Sequence, residues 1–471
     1  MKRRTLISLA LGASALSAAE PDADFFIEGY AGKLSVAQGE EVPLHITTSE
    51  AACEIEVARL GAKREVVWQK SGVAGKRQIV PEDASAKGCG WSESIRVPVG
   101  AEWKSGYYEV RLKIADAGGK WTLHNRRTAE SSAFFIVRQA RPGSTSKILL
   151  QLATNTYNAY NNWGGFSIYA YNSLSNNAGH RVSFQRPAAS QYSRWELPFV
   201  QWAEANGYVL EFAANSDLEH HPEMLASYQL VLSVGHDEYW STPMRDHLEA
   251  WIGKGGNVAF FSGNTCCWQV RNEDGGDAFT CWKQNYHLDP VFASREFKTL
   301  STLWSHHLVQ RPENQLTGVG FLWGGYRRSH GQFMEEPAAY KVHRPDHWIF
   351  AGTGLRRDDD LGGKDTIVGY ECDGCELEWK DGLPFATSRD GTPKDFEVLA
   401  TCPVRWHPDD AEWYERWEKG RIGAACMGLY TRGGTVFTAG TTDWAHGLQG
   451  GDVAVQRITR NLLDRLSQTA G

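Results

Sequence analysis

Residues 235–241 read GHDEYWS and bring an imidazole, two carboxylates and a phenol into consecutive positions. His236, Asp237 and Glu238 are residue types that act as general acids and bases, and the oxygen of Tyr239 can bind a hard, Lewis-acidic metal ion. A structural role is the simpler explanation for any one of them, since a carboxylate here could cap the following helix. A cap needs only one acidic side chain, so the whole set indicates a catalytic centre made by His236, Asp237 and Glu238.

Two other segments carry aromatic and amide side chains directly after a predicted strand. The strand 147–152 is followed by ATNTYNAYNNWGG, and the strand 257–262 is followed by GNTCCWQVR. Ligands bind at the carboxyl ends of the strands in open α/β sheets, so we expect both segments to meet residues 236–239 there. Such an aromatic-walled pocket with a few polar groups suits a small molecule. The side chains that we assign to substrate binding are Asn155, Tyr157, Trp163, Asn264, Trp268 and Arg271, with Tyr160 and Asn161 in the same loops.

Several well-known catalytic motifs are missing from the sequence. It contains no G-x-S-x-G, no H-E-x-x-H and no Walker loop, which argues against a nucleophile elbow, a zincin and a nucleotide-binding P-loop. Cys266 and Cys267 follow a strand, as a nucleophilic cysteine would, but no obvious His partner follows them in a matching pattern. We do not favour a cysteine nucleophile.

The residues after 146 alternate between apolar strands and helices. The strands 147–152, 228–234 and 257–262 are continuously apolar, which is typical of a parallel sheet buried on both faces. A helix that Ser241 or Thr242 can cap lies between the last two strands, with Pro243 in its first turn. Residues 435–440 and 452–468 return to the same pattern. We expect a doubly wound α/β domain over residues 146–471, in which the capped helix ends at Gly255-Gly256 and packs through Met244, Leu248, Trp251 and Ile252.

Residues 24–138 have a different rhythm, with short β-branched runs between Gly, Asp, Ser and Lys turns. In the segment 107–115, Tyr108, Val110, Leu112 and Ile114 recur at every second position and therefore share one face of a strand. Many short strands at regular spacing indicate a β-sandwich, which we expect to be immunoglobulin-like. The polar segment RPGSTS at 141–146 predicts a linker between the two domains.

Charge and composition limit the kinds of partner that we expect. The chain of 471 residues carries a formal net charge of -7, which gives no reason to expect nucleic acid or an anionic membrane as partner. Its 19 tryptophans can line a small-molecule pocket or fill a core. We expect a small-molecule substrate, and a homo-oligomer is compatible with the sequence.

The first residues have the features of an export signal. Arg3 and Arg4 precede a short apolar stretch, and Ser17-Ala18-Ala19 forms a small-residue cleavage site. The segment RRTLI resembles the twin-arginine type of signal, and an ordinary secretory signal is the alternative. Removal of residues 1–19 would leave no run of eighteen apolar residues, so we expect an exported periplasmic or extracellular protein without a membrane anchor.

Nine cysteines are present, an odd number that leaves at least one unpaired in an oxidising compartment. Cys53 and Cys89 both lie in the first domain and could form a disulfide. Cys372 and Cys375 form a single C-x-x-C, which lacks the second pair of a four-cysteine zinc site. We expect a local disulfide or two thiols there, and no metal.

Seven segments of the chain resemble a known family. The chain is similar to the C-terminal domain of the large (β) subunit of N,N-dimethylformamidase and to its uncharacterised exported relatives, and the resemblance covers nearly all of the mature sequence. It implies an immunoglobulin-like domain followed by a glutamine-amidotransferase-like (flavodoxin-like) α/β domain. The segments are LLQLATNTYNAYNNWGG, RWELPFVQWAEANGY, LVLSVGHDEYWS, FFSGNTCCWQVR, RPENQLTGV, DHWIFAGTGL and FTAGTTDWAHGL.

The resemblance also implies a chemistry. The characterised member of the family hydrolyses a small amide with a mononuclear iron held by two tyrosines and a glutamate, and Tyr239 matches one of these tyrosines. The second tyrosine falls near Pro198 and Phe199, where this chain has none, and Glu296 lies only near the position of the glutamate. Either this branch has lost the iron, or other donors complete a changed site: Tyr157, His236 or Glu238.

We therefore expect an exported hydrolase that acts on a C–N (amide) bond of a small molecule, with iron as a possible cofactor. Glu238 or Asp237 would act as base for an activated water, His236 and Asn264 would orient the substrate, and Tyr239 would bind the metal. Two alternatives remain on the same scaffold, because a fold does not fix a function. One is a non-catalytic periplasmic protein that binds a glycan or another ligand through its Trp-rich loops, and the other is a carbohydrate-active enzyme.

Overall fold

Two β-sheets pack face to face in the first part of the computed structural model, which describes residues 25–115, 128–329, 332–333, 338–406 and 422–468. Val42 and Leu44 of one sheet meet Val110 and Leu112 of the other in a single apolar core. The predicted alternation is confirmed, since Tyr108, Val110, Leu112 and Ile114 are all buried. One sheet has the order β1 (Ile27–Ala31), β3 (Glu41–Thr48), β6 (Ile95–Pro98), and the other β2 (Ser35–Ala37), β8 (Thr128–Arg138), β7 (Gly106–Ala115), β4 (Ala52–Leu60), β5 (Arg64–Ala74).

The second part of the chain is built on a nine-stranded sheet. The predicted parallel strands are confirmed, and their carboxyl ends lie at one edge. The strands follow one another in the order β11 (Glu211–Ala214), β9 (Ile148–Leu152), β12 (Leu230–His236), β14 (Asn257–Gly263), β27 (Gly434–Thr438), β26 (Ile422–Arg432), β25 (Glu397–Arg405), β20 (Tyr340–Val342), β21 (Asp360–Leu361).

Beyond the predicted parallel strands, β26, β25, β20 and β21 extend the sheet in antiparallel register, which the sequence did not predict. β26 and β27 are joined by a tight turn at Gly433, whose φ is +81°. A connection this short can only join antiparallel neighbours, since a parallel crossover needs a dozen residues or more.

Helices cover both faces of the sheet. Phe199, Trp444 and Ile458 pack on one face, and Met244 and Leu248 pack on the other. The helix expected after residue 452 is confirmed, as is the helix after Ser241, whose hydroxyl accepts a hydrogen bond from Met244 N. The helices are α1 (Ala84–Lys87), α2 (Thr154–Tyr160), α3 (Glu196–Ala205), α4 (Asn215–His220), α5 (Thr242–Ile252), α6 (Pro290–Ser294), α7 (Asn314–Thr317), α8 (Trp444–Gln449) and α9 (Val453–Leu466).

A small four-stranded sheet lies beyond the carboxyl edge of the large one. Its parallel strand pair sets Tyr239 directly opposite Trp268. This sheet has the order β10 (Arg181–Ser183), β16 (Ala278–Thr280), β15 (Trp268–Glu273), β13 (Tyr239–Ser241). The remaining strands form three pairs, β17 (Gly320–Gly325) with β22 (Cys372–Gly374), β18 (Arg328–Ser329) with β19 (Gln332–Phe333), and β23 (Leu377–Lys380) with β24 (Leu383–Ala386).

All nine cysteines are buried thiols in the structure. The expected bridge between Cys53 and Cys89 is not present, since Cys53 lies in the core of the sandwich and Cys89 packs with Tyr30 and Trp91 in a separate cluster. Of the two possibilities for Cys372 and Cys375, the structure has thiols.

The architecture is therefore β followed by mixed α/β. The names immunoglobulin-like and glutamine-amidotransferase-like stay predictions, as does the division at residues 138–146. The predicted signal at 1–19 lies outside the described residues. Within the part of the chain that the structure describes, no helix is both long and apolar enough to cross a membrane.

Candidate active site

Two glycines let the chain converge at the carboxyl edge of the sheet. Gly235 has a φ of +81°, and a Cβ added there would lie 2.3 Å from the Cβ of Trp195. A Cβ on Gly263, which pairs with His236 across the parallel strands, would lie 2.4 Å from the carbonyl oxygen of Glu371. Heavy atoms cannot approach so closely, so only glycine at these two positions admits both neighbours.

Glu238 is the centre of the resulting cluster. Its carboxylate accepts hydrogen bonds from Trp268 Nε1 at 2.8 Å, from the Tyr160 hydroxyl at 3.1 Å and from the Tyr169 hydroxyl at 3.0 Å. Burial works to raise the pKa of Glu238, but His236 and, more weakly, Lys283 outweigh it and hold the pKa below its usual value. Glu238 is thus a buried anion with converging donors.

Three phenol oxygens lie in a row beside this carboxylate. The hydroxyls of Tyr160 and Tyr169 are 2.8 Å apart, and the Tyr239 hydroxyl donates to that of Tyr169 at 2.7 Å. Burial first, and the charge of Glu238 second, raises the pKa of all three phenols well above 10. They therefore stay protonated unless a cation takes the place of a proton.

His236 lies between two carboxylates. Its Nε2 is 2.7 Å from Glu371 Oε2 and 3.3 Å from Glu238 Oε2. Burial alone would lower the pKa of His236, but Glu371 and then Glu238 outweigh burial and raise it to about 10. The imidazole is therefore protonated at neutral pH. Asn264 Nδ2 donates to Glu371 Oε2 at 3.2 Å and the Tyr326 hydroxyl to Glu371 Oε1 at 3.4 Å.

Lys283 brings a second cation into the cluster. Its side chain is only 4% exposed, and its Nζ lies 3.4 Å from the centre of the Tyr169 ring and 4.5 Å from that of Trp268. Burial lowers the pKa of Lys283 to about 8, although Glu238 opposes the shift. Lys283 can therefore change its charge close to neutral pH.

The structure brings six of the residues predicted from the sequence into this cluster: Tyr160, His236, Glu238, Tyr239, Asn264 and Trp268. Asp237 points the other way. Its carboxylate accepts hydrogen bonds from Ser233, Gln151 and Asn215 below the edge of the sheet. It holds the turn in place and is not positioned as a base.

Asn155 is also a supporting residue, since its Nδ2 donates to the backbone oxygen of Tyr239. The two cysteines after β14 are fully buried, and burial raises the pKa of both thiols. Neither Cys266 nor Cys267 has the lowered pKa of a nucleophilic cysteine.

Three predicted substrate-binding residues lie outside the cluster. The Tyr157 hydroxyl donates a hydrogen bond to Glu196 at the start of α3, and Arg271 forms an ion pair with Asp289. Trp163 Nε1 donates to Glu28 of the sandwich. Trp163 lines a cavity of about 680 Å³ between the two halves of the chain, whose walls include none of the residues around Glu238.

Sequence reasoning missed Tyr169, Lys283 and Glu371. Tyr169 and Lys283 lie in segments without strand or helix periodicity. Near Glu371 the alternation of polar and apolar residues at 371–373 is a weak strand signal, and a short strand begins at Cys372. Neither position that the resemblance suggested for the other metal ligands lies in the cluster around Glu238. Glu296 is exposed, and the helix around Phe199 is buried in the core away from Glu238.

The donor set around Glu238 fits a hard cation. In the described part of the chain, no three His, Cys, Asp or Glu side chains form a metal-binding group of their own, so a metal ion here would need the phenols. The oxygens of Tyr160, Tyr169 and Glu238 are mutually separated by 2.8 to 3.1 Å. These are the separations of ordinary hydrogen bonds, so the fit to a hard cation rests on the phenol and carboxylate chemistry of the donors.

Comparison with known proteins identifies the family of the chain. Residues 54–458 match the family described as "N,N-dimethylformamidase beta subunit-like, C-terminal". The N,N-dimethylformamidase beta subunit of Paracoccus aminophilus is 23% identical over 442 residues, and that of an Alcaligenes species is 24% identical over 444 residues. Each comparison covers 80% of this chain and 54% of the relative, so the chain spans about half the length of these proteins.

The match begins inside β4, and thus includes most of the sandwich as well as the whole cluster. The resemblance that the sequence motifs indicated is confirmed. On this evidence the chain belongs to the family of N,N-dimethylformamidase beta subunit-like C-terminal proteins.

Proposed function

We propose that this chain hydrolyses the C–N bond of a small amide at the cluster around Glu238. The observation that carries the proposal is the closed triangle of oxygens from Tyr160, Tyr169 and Glu238, which lie 2.8 to 3.1 Å apart around a carboxylate that is 2% exposed. Family membership supports an amide as substrate, since both relatives are named N,N-dimethylformamidase beta subunits.

We further propose that Tyr160, Tyr169 and Glu238 hold a mononuclear iron. Phenolate and carboxylate oxygens suit a hard ferric ion, which when bound supplies a Lewis acid for a carbonyl oxygen or a water molecule. Tyr239 was the ligand that the sequence suggested. Its hydroxyl contacts Tyr169 and lies outside the triangle, so we assign it the role of orienting the Tyr169 oxygen.

The remaining polar residues can move the protons that amide hydrolysis requires. The base must take a proton from water, and the acid must give one to the leaving nitrogen. Asp237 is occupied below the sheet, so we assign the base to Glu371, whose carboxylate is positioned by His236 and Asn264. Lys283, with a pKa near 8, is the cation best placed to donate a proton beside Glu238.

We also propose that the chain is exported, because Arg3 and Arg4 precede a short apolar stretch and a small-residue cleavage site. The proposed compartment is the periplasm or the extracellular space. This proposal rests on the sequence alone and is independent of the proposed amide hydrolysis.

The activity is tested by measuring amine release from N,N-dimethylformamide and a panel of small secondary and tertiary amides. The full purified chain should hydrolyse at least one of them, and Glu238→Gln should lower kcat by about 100-fold or more, since it removes the charge at the centre of the cluster. Trp163→Phe is the matched control, because Trp163 lies outside the cluster. Absence of turnover on the whole panel, or full activity in Glu238→Gln, would overturn the proposal.

A further inference from the structure

Three aromatic rings enclose the imidazole of His236. The ring centres of Tyr160, Tyr370 and Trp195 lie 5.7, 5.8 and 6.2 Å from that of His236. Tyr160 belongs to the oxygen triangle, Trp195 is 2% exposed and Tyr370 is half-buried. Trp195 and Tyr370 therefore form a wall of aromatic rings beside His236.

Arg194 lies at the outer end of this wall. Its side chain is exposed, and its Cζ lies 4.3 Å from the centre of the Trp195 ring and 5.4 Å from that of Tyr370. Among the described residues, the Arg194 guanidinium makes no ion pair and no side-chain hydrogen bond. Many other arginines of the chain do, such as Arg271 with Asp289.

Stacking on two rings fixes a guanidinium without using its donors. The attraction acts through the face of the group, while the five N–H donors point outward in its plane. A guanidinium in this arrangement is prepared for a carboxylate, which accepts two parallel hydrogen bonds. The nearby carboxylate of Asp443 does not fill this role, because its Oδ2 accepts a hydrogen bond from Tyr370 N and its Oδ1 one from Thr442.

We infer that Arg194 binds an anionic group of the substrate and that the preferred substrates are amides that also carry a carboxylate. One aromatic ring separates the guanidinium from His236, so the carboxylate lies several bonds from the scissile C–N bond. Arg194 is thus a specificity-determining residue at the rim. This inference rests on the proposed amide hydrolysis at the Glu238 cluster.

A purely structural role predicts something different. If Arg194 only covered the face of Trp195, its loss would affect charged and neutral amides equally. The informative quantity is therefore the ratio of kcat/KM for N,N-dimethylglutaramate to kcat/KM for N,N-dimethylpentanamide, which has the same chain but no carboxylate.

Arg194→Gln should lower this ratio by about tenfold or more, as expected for loss of a hydrogen-bonded charge. Arg194→Lys should lower it less, because lysine keeps the charge but lacks the planar fork. Arg460→Gln is the control, since Arg460 also lies over a tryptophan, Trp202, but far from the cluster in a surface position. An equal effect of Arg194→Gln on both amides, or no effect on either, would overturn the inference.

Calorimetric binding separates this inference from the proposed function. If the wild type hydrolyses neither amide, amide hydrolysis fails for these substrates, but Arg194 can still be tested. The wild type should bind N,N-dimethylglutaramate with a Kd about tenfold lower than that of Arg194→Gln. Equal Kd values for the two proteins would reject the role of Arg194, whether or not turnover is seen.

Discussion

The hydroxyl oxygens of Tyr160 and Tyr169 lie 2.8 Å apart, and each donates a hydrogen bond to the carboxylate of Glu238. The two tyrosines come from the end of α2 and from the loop that follows it, whereas Glu238 follows β12. Burial penalises the charged carboxylate, and the protonated phenols offset part of that cost by donating hydrogen bonds to it. In the proposed function this polar group serves the metal ion and the amide substrate.

The first prediction concerns the Tyr169 hydroxyl, which contacts Tyr160, Tyr239 and Glu238. Tyr169→Phe keeps the ring, so it should cost only about 1 kcal/mol of unfolding free energy per lost hydrogen bond while lowering kcat by about 100-fold. Amine release and denaturant unfolding check the two effects.

Tyr208→Phe is the matched control for that substitution. The Tyr208 hydroxyl bonds to Asp464 on the surface, so its loss should change stability slightly and leave kcat as it is. Equal kcat values for Tyr169→Phe and the wild type would rule out a role for the Tyr169 oxygen in the reaction.

The second prediction concerns Lys283. Its pKa of about 8 means that the side chain loses its charge as the pH rises through that value. If Lys283 donates the proton, kcat should fall above about pH 8, and Lys283→Arg should lower kcat at every pH and lose this alkaline limb, because arginine stays charged and does not release its proton. A pH profile of kcat from 6 to 10 checks this. An unchanged alkaline limb in Lys283→Arg would assign the limb to another group.

Much of the frame of this site is predictable from the sequence. Continuous apolar runs predicted β9, β12 and β14. The possible cap at Ser241, followed by Pro243, predicted the start of α5. These features are local, because strand and helix periodicity depends on neighbouring residues. The placement of His236 and Glu238 at the carboxyl edge follows from the parallel order of the strands.

Other parts of the site depend on contacts between distant segments. Glu371 reaches His236 because Gly263 leaves room for its backbone, and Lys283 reaches Tyr169 from an irregular turn. No periodic pattern marks such positions. The antiparallel half of the sheet was missed for the same reason, since a tight turn at Gly433 decides the direction of β26.

The third prediction concerns Glu196, a fully buried carboxyl that accepts a hydrogen bond from Tyr157. Burial raises its pKa from 4.5 to about 7. The folded chain therefore binds this proton more tightly than the unfolded chain. The corresponding stability is present below pH 4.5 and is lost as the pH rises through about 7.

Glu196→Gln should remove this dependence while keeping an oxygen that can accept the hydrogen bond. Between pH 5 and 8 the wild type should lose up to about 3 kcal/mol more unfolding free energy than the variant. Urea unfolding at the two pH values measures the difference. A parallel loss in both proteins would show that Glu196 is already ionised at pH 5.

The fourth prediction concerns export. Replacing Arg3 and Arg4 by lysine keeps the positive charge but removes the arginine pair that a twin-arginine receptor reads. The protein should then remain in the cytoplasm, as measured by cell fractionation. An unchanged amount in the periplasm would indicate an ordinary secretory signal.

The most direct test of the central claim is the iron content of the purified chain, measured together with its visible absorption spectrum. We predict about one iron per chain, as for a mononuclear site, and a phenolate-to-iron absorption band. Tyr160→Phe and Tyr169→Phe should each lose the band and most of the iron, whereas Tyr208→Phe should keep both. A wild-type protein that hydrolyses amides without bound metal, or a Tyr169→Phe variant with undiminished iron, would contradict the assignment of Tyr160, Tyr169 and Glu238 as the metal site.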